Sequence, residues 1–417
     1  VKVKAGMSGS RTFETDILII GGGIAGLALA ALLGRAGMDV RLVEPFPPPP
    51  LGQTTASGRT VALMQSSLNV IRATGAWEKI SEQSAALKTM RIIDDSAPGR
   101  ETINSEFNAA DIGLSEFGFN IPNALLRAAL HETVQAEKNV HLHTPATLAG
   151  YKTDDNGVKA PLEDGTHITA RLIVGADGRN SAVRTMASID CKIHAYEQSA
   201  ITCLINHSQS HNDTATEFHR PSGPLAFVPL PGNQSSVVWV EETGRAEQLI
   251  ALKKDEFTQA LRKAMNEILG GITLETGPEC WPLSTLQARK ITGPRLALCA
   301  EAAHVMSPIT AQGLNLSLRD VAALAETIVD AARLGLDPGT KTVLDQYRRR
   351  RALDINTRVF GVDAMNRIVS NDLSVVKGLR RLTLKTVETV GPIRKLAMRA
   401  GLAPEIDQGR LTKSGTL

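Results

Sequence analysis

Three glycines and one carboxylate near the start of the chain are spaced as a phosphate-binding site requires. Gly21, Gly23 and Gly26 form a GxGxxG run directly after the apolar segment DILII (16–20), and an apolar helical run follows them. Glycine serves a different purpose at each position: a tight turn, close approach of backbone to a pyrophosphate, and close packing of helix on strand. A helix opening there adds unpaired amides and a partial positive charge, which favour an anion. Glu44 ends the next apolar segment, DVRLVE (39–44). Its position suits a carboxylate that accepts hydrogen bonds from a ribose. Such an acid favours an adenosine ribose without a 2′-phosphate, so FAD or NAD and not NADP. These residues alone leave FAD and NAD open.

A second stretch, CAEAAHVMSPITAQGLNLSLRD (299–320), reads as the end of a strand, a loop and the opening of a helix. Gly313, Leu314 and Asn315 stand at that opening, where backbone amides can meet a ligand. The elements that must hold both stretches follow from the apolar pattern. DILII and DVRLVE are buried strands joined by the helix within 21–37, one βαβ unit whose right-handed crossover makes the strands parallel. PFPPPP (45–50) forces an extended loop. A helix is expected over about 66–83, ending near Trp77 and Ile80, with short strands and turns from Lys88 to Phe119. NALLRAALHETVQAE (123–137) is an amphipathic helix, and ARLIVGADG (170–178) repeats the strand-to-glycine turn. From Lys192 to Glu242 alternating strands such as LAFVPL and SSVVWVEE point to an antiparallel sheet in a second domain. RLALCAEAAH returns to a buried strand, and helices dominate from Asn315 onward.

Three of these stretches resemble the flavoprotein aromatic hydroxylases of the para-hydroxybenzoate hydroxylase fold. GADGRNSAVR (175–184) is similar to their Asp-Gly motif, RTVALMQSSLNVIRATGAW (59–77) to the segment whose leading arginine reaches the FAD pyrophosphate, and 299–320 to their second FAD motif. That motif is usually Gly-Asp-Ala-Ala-His, then Pro, then Gly-Gln-Gly-x-Asn. Here Ala300 and Glu301 replace its Gly-Asp, and Ala311 replaces a later glycine. Within the superfamily, RPSGPLAFVPLPGNQSSVVW (220–239) and PITAQGLNLSLRD (308–320) most resemble the ubiquinone-biosynthesis hydroxylases.

The resemblance implies an α/β fold: a Rossmann-like FAD-binding domain with an inserted antiparallel-sheet substrate domain and C-terminal helices. Its boundaries would place the FAD-binding domain at 12–87, 120–190 and 285–345. Substrate-domain strands would lie at 88–119 and 191–284, and a helical region at 346–417. It also implies a monooxygenase that uses FAD, NADH or NADPH as electron donor and O2 as co-substrate. Its substrate would be a phenolic ring, best matched by a polyprenylphenol of ubiquinone biosynthesis, hydroxylated through a flavin C4a-hydroperoxide. The cofactor carries the hard chemistry, so no metal or nucleophile constellation is required.

Roles carry over residue by residue. Arg59 would reach the pyrophosphate and Asn123, opening its helix, would contact FAD. Asp177 would touch FAD and help dock the nicotinamide donor. Gly313, Leu314 and Asn315 would aim a helix N-terminus at the flavin pyrimidine ring, and Pro308 would shape the loop beside the reacting flavin. Glu301 would bind the ribityl chain, one methylene longer than the usual aspartate. Ala300 adds only a methyl, tolerable where φ is negative and costly where it is positive. His304 reads as structural. Phe218, Phe227 and Trp239 would line the substrate cavity, with sheet-core packing as the alternative for each.

The bulk properties agree with a soluble two- or three-domain chain: 417 residues, 42% hydrophobic, 21% charged, net charge +3. That charge is too small to argue for nucleic acid. Between Lys341 and Ala400, however, 14 Lys/Arg stand against 5 Asp/Glu. Apolar residues from Leu373 to Leu396 recur every three to five positions among those bases, as in amphipathic helices. Such a face suits an anionic membrane, partner subunits of a ubiquinone-synthesis complex, or the body of the protein, and the residues leave these open. A cytoplasmic protein, peripheral on the inner membrane, is the expectation. Four cysteines without metal-ligand spacing read as buried reduced thiols. Two further readings stay open here: a hydroxylase of a soluble aromatic catabolite, and an accessory protein that keeps the fold but binds FAD poorly.

Overall fold

The computed structural model describes residues 11–54, 58–95, 103–306, 312–369 and 409–417. Pro308, Ala311 and the basic repeat from Leu373 to Arg399 lie outside the described residues.

The first sheet is built on parallel strands. Thr12–Ile20 pairs with Val40–Val43 on one side and His167–Gly175 on the other. Val140–His143 and Leu296–Leu298 extend the parallel row. Ile17 to Ile20 are all buried, as expected of a strand covered on both faces. The helix Ile24–Arg35 is buried from Ala25 to Gly34, because it packs against helices Asn123–Ala136 and Gly313–Arg333 as well as the sheet. The apolar run 17–33 is thus a strand, a turn and a core helix. No helix among the described residues is long and apolar enough to cross a membrane.

The second sheet has nine strands and is antiparallel save for one parallel pair, Thr214–His219 with Thr89–Asp94. One of its faces carries Ile201, Phe218, Phe227 and Trp239 against Leu249, Phe257 and Leu261 of helices Thr243–Ile250 and Lys254–Ala264. The other face turns to the first domain, with Met90, Ala215 and Val228 packed on Ala62, Met64 and Leu87. A three-stranded sheet, Thr60–Met64, Gly118–Pro122 and Ala85–Leu87, joins the two. Its Thr60 Oγ1 donates to Ser236 Oγ at 2.7 Å, and Asn120 Nδ2 donates to the Pro229 carbonyl at 2.8 Å.

The helix expected over 66–83 is shorter. It spans Gln65–Thr74 and stops at Gly75, whose φ of +79° makes the left-handed cap that ends many helices. Trp77–Lys79 and Ser81–Gln83 are separate 3₁₀ turns. Of the cysteines, Cys203 and Cys299 are buried, whereas Cys191 and Cys280 are only half-buried. Burial pushes the Cys203 thiol up to about 12 and Cys299 well above its ordinary value, so both are poor nucleophiles.

Candidate functional site

The ends of the parallel strands bring four loops side by side: the turn at 21–23, Glu44, the turn at 176–178, and the 3₁₀ turn Ala300–Ala302. This carboxyl edge is where open α/β sheets bind ligands. The glycine positions differ physically, as their spacing implies. A Cβ on Gly21, at φ +110°, would lie 2.4 Å from the Ala176 carbonyl oxygen, and one on Gly26 would lie 1.9 Å from the Gly21 carbonyl oxygen. A Cβ on Gly23 would meet nothing within 4 Å among the described residues. Two glycines are therefore required by the protein itself, and the third faces space open for a ligand.

Glu44 is held in place before any ligand arrives. Its Oε2 accepts the Gly22 N–H at 2.5 Å, and its Oε1 accepts the Phe46 N–H at 2.8 Å. Arg127 closes the ring: Nε donates to the Gly22 carbonyl at 2.8 Å, Nη2 donates to the Phe46 carbonyl at 2.5 Å, and Nη2 sits 3.4 Å from Glu44 Oε1. Each carboxylate oxygen keeps a lone pair for a hydroxyl. Gly22 and Arg127 were missed from sequence. The available signal was helical: Arg127 follows Asn123 by one turn, on the same face. Asn123 opens the helix at its first turn, and its Oδ1 is buried with no partner among the described residues. An orphaned buried acceptor, a preset carboxylate and an open glycine turn at one sheet edge fit a dinucleotide of the FAD kind.

Several expected contacts take other forms. The Asp177 carboxylate is engaged in its own turn, accepting Ser181 Oγ at 2.5 Å and the Val183 N–H at 3.1 Å. These bonds shape the entry to helix Ala182–Met186. Arg184 of that helix donates to the Ala302 carbonyl at 2.9 Å and so ties this turn to the neighbouring loop. The exposed Arg59 guanidinium stacks 5.1 Å from the ring centroid of Trp281 on the second sheet. Asn315 spends its side chain on the strand Thr60–Met64, accepting the Met64 N–H at 3.0 Å and donating to the Ala62 carbonyl at 2.8 Å. It fixes where the helix Gly313–Arg333 starts. Phe218, Phe227 and Trp239 belong to the helix-covered face of the second sheet, so they are sheet core and do not line a cavity toward the first domain.

Ala300 has φ +57°, the costly case for a residue with a Cβ. Its N–H donates to Asp320 Oδ2 at 2.9 Å, and the same oxygen lies 2.5 Å from His304 Nε2. His304 is buried and structural. Glu301 is exposed, and its carboxylate has no hydrogen bond among the described residues. Ala300→Gly is expected to stabilise the protein by about 1 kcal/mol, since it removes left-handed strain. A rise in the urea midpoint at unchanged slope would show it, and a fall would contradict the strain. Among the described residues no group of His, Cys, Asp or Glu could hold a metal ion.

The FAD binding domain family matches residues 14–359 of the chain. The chain is 36% identical to the ubiquinone hydroxylase UbiL of Rhodospirillum rubrum, over 94% of this chain and 90% of that protein. It is 31% identical to the 3-demethoxyubiquinol 3-hydroxylase of Escherichia coli, over 93% and 98%. Among solved structures, the p-nitrophenol 4-monooxygenase PnpA of Pseudomonas putida superposes with a TM-score of 0.76 over 94% of this chain and 98% of that one. At 17% identity that likeness concerns the fold alone.

Proposed function

The chain belongs to the FAD binding domain family, and from that premise we propose that it is an FAD-dependent monooxygenase that hydroxylates a polyprenylphenol intermediate of ubiquinone biosynthesis. NADH or NADPH is the electron donor and O2 the co-substrate. The observation that carries the reading is the near-full-length similarity to ubiquinone hydroxylases, together with the preset Glu44 beside an open glycine turn. It favours this reading over a soluble catabolite or an accessory role.

FAD, once reduced, supplies the oxygen-activating chemistry. The chain supplies position and electrostatics. Gly21, Gly23 and Gly26 would let the backbone approach the pyrophosphate, and Glu44 would accept the ribose hydroxyls. Asn123 Oδ1 would gain the partner it lacks. Gly313 and Leu314 open a helix whose first-turn amides would stabilise negative charge on the flavin pyrimidine ring. Exposed Glu301 remains available to a ribityl hydroxyl. The basic segment after Lys341 supports docking on an anionic membrane or a partner of a ubiquinone-synthesis complex.

Purified protein reconstituted with FAD should be yellow, consume oxygen with NADH or NADPH, and add one oxygen to a prenylated phenol by mass spectrometry. A colourless protein that cannot be reconstituted and shows no oxygen uptake would refute the proposal.

A further inference from the structure

The strand Thr214–His219 has two faces, and only one lies under helices. Phe218 points to the helix-covered side, so Ala215, Glu217 and His219 occupy the side turned to the first domain. Register fixes their neighbours: Glu217 stands between Ala226 and Ile92, Ala226 pairs with Val238, and Val238 with Thr202. Apart from Thr202 the neighbours of Glu217 in this row are apolar, and Glu217 Oε1 stands 2.9 Å from His219 Nε2. Ala215, about 7 Å back along the strand, packs with Ala62 and Met64. Met64 is in turn bonded to Asn315 at the start of the helix Gly313–Arg333. The pair therefore lies on the face of the second sheet that meets the first domain at Ala215.

The hydrogen-bond inventory assigns the protons. His219 Nδ1 is buried and has no partner among the described residues. An N–H there would be buried without an acceptor, at a cost, so the neutral ring carries its proton on Nε2 and donates it to Glu217. Glu217 Oε2 has no partner among the described residues, and the side chain keeps 31% of its exposure. One oxygen is anchored and the other is free to take a proton.

We propose that Glu217 accepts the phenolic proton of the substrate, with His219 as the positioning residue that aims it; the assignment rests on the phenol-hydroxylase reading above. The phenol O–H bond breaks, the proton bonds to Oε2, and the electron pair stays on the phenolate oxygen. That raises electron density at the ring carbons ortho and para to it, which are the positions open to hydroxylation. Ala226 and Val238 leave a short apolar wall for the ring. The other charged groups around this strand are Asp94, buried across from His219 on the same face, and the Arg91–Glu106 and Arg220–Asp95 pairs of the opposite face. Arg59 lies farther along, over Trp281.

The test uses FAD-loaded protein and a geranyl-substituted phenol. Glu217→Gln is expected to lower hydroxylation about 100-fold near pH 7, with bound flavin unchanged. The loss should shrink as pH rises toward the ordinary phenol pKa of about 10. His219→Ala is expected to lose about tenfold, the worth of one hydrogen bond to a charged group, and His219→Gln, which keeps an N–H donor, should recover most of it. A Glu217→Gln enzyme with unchanged rate and pH profile overturns the assignment alone. A variant that no longer retains FAD makes Glu217 a structural group and overturns it too. A wild-type protein that holds FAD and consumes oxygen yet hydroxylates no phenol overturns the functional reading itself, and the assignment with it.

Discussion

Replacing Gly23 with alanine should weaken FAD binding while leaving the stability of the FAD-free protein unchanged, whereas Gly26→Ala should damage both. The difference follows from what a Cβ would meet. At Gly23 the backbone is extended, with φ −74°, and no atom of the described residues lies within 4 Å of the new methyl. Any loss there must come from the ligand whose space the methyl enters. At Gly26 the methyl would lie 1.9 Å from the Gly21 carbonyl oxygen, and Gly21 is itself wedged at φ +110° against Ala176. The turn must open or the helix must lift, an overpacking cost of about 1–3 kcal/mol. Carried into binding, that corresponds to a loss of affinity of about 5- to 150-fold. Fluorescence titration with FAD and urea unfolding of the FAD-free protein measure the two effects separately. Wild-type FAD affinity in Gly23→Ala would mean that the open space at this turn is not where the pyrophosphate lies.

Much of this site could be read before any coordinates because its constraints are local. A strand, a glycine turn and a helix lie within twenty-four residues, Thr12 to Arg35, and each glycine answers to atoms of the same βαβ unit or its neighbour. Glu44 was legible for the same reason, as the last residue of a strand whose direction the crossover sets. The failures share a different cause. Alternation in Thr214–His219 and Leu225–Leu230 shows that two faces exist, and the rule that large apolar residues mark a pocket picked the wrong one. The face bearing Phe218, Phe227 and Trp239 is the one that helices Thr243–Ile250 and Lys254–Ala264 cover. The smaller residues, with Glu217 among them, face the first domain. At Asp177 the same residue type serves a turn as readily as a ligand, and Ser181 and Val183 both donate to its carboxylate. The sign of φ at Ala300 is not encoded at residue 300 at all. It depends on a carboxylate twenty residues later.

That carboxylate, Asp320, sits at the centre of a buried network of ion pairs. It is fully buried, with Oδ1 accepting Arg351 Nε at 2.7 Å and Oδ2 shared by the Ala300 N–H and His304 Nε2. Arg351 continues the network to Asp354 at 2.7 Å, and Arg319 reaches the other oxygen of Asp354 at 3.1 Å. Burial opposes charge on Asp320, but the His304 and Arg351 partners outweigh it and hold its pKa at about 2. Asp320→Ala should therefore destabilise the protein by about 3–5 kcal/mol at pH 7, because it leaves the buried Arg351 charge with Asp354 as its one carboxylate and takes away the acceptor of buried His304. It also frees the Ala300 N–H, so the left-handed turn that presents Glu301 should relax and FAD affinity should fall with stability. The pH dependence has a definite sign. A carboxyl whose folded pKa lies below its unfolded value near 3.9 stabilises the fold fully above that value. The contribution drains away as pH falls toward 2. Its size over that window is about 2–3 kcal/mol. Urea unfolding of Asp320→Asn beside wild type should thus show a gap that is flat from pH 7 to about 5 and narrows below 4. A gap that stays constant down to the acid limit would show that Asp320 is not ionised in the folded protein. The Ala300 turn would then need a different support.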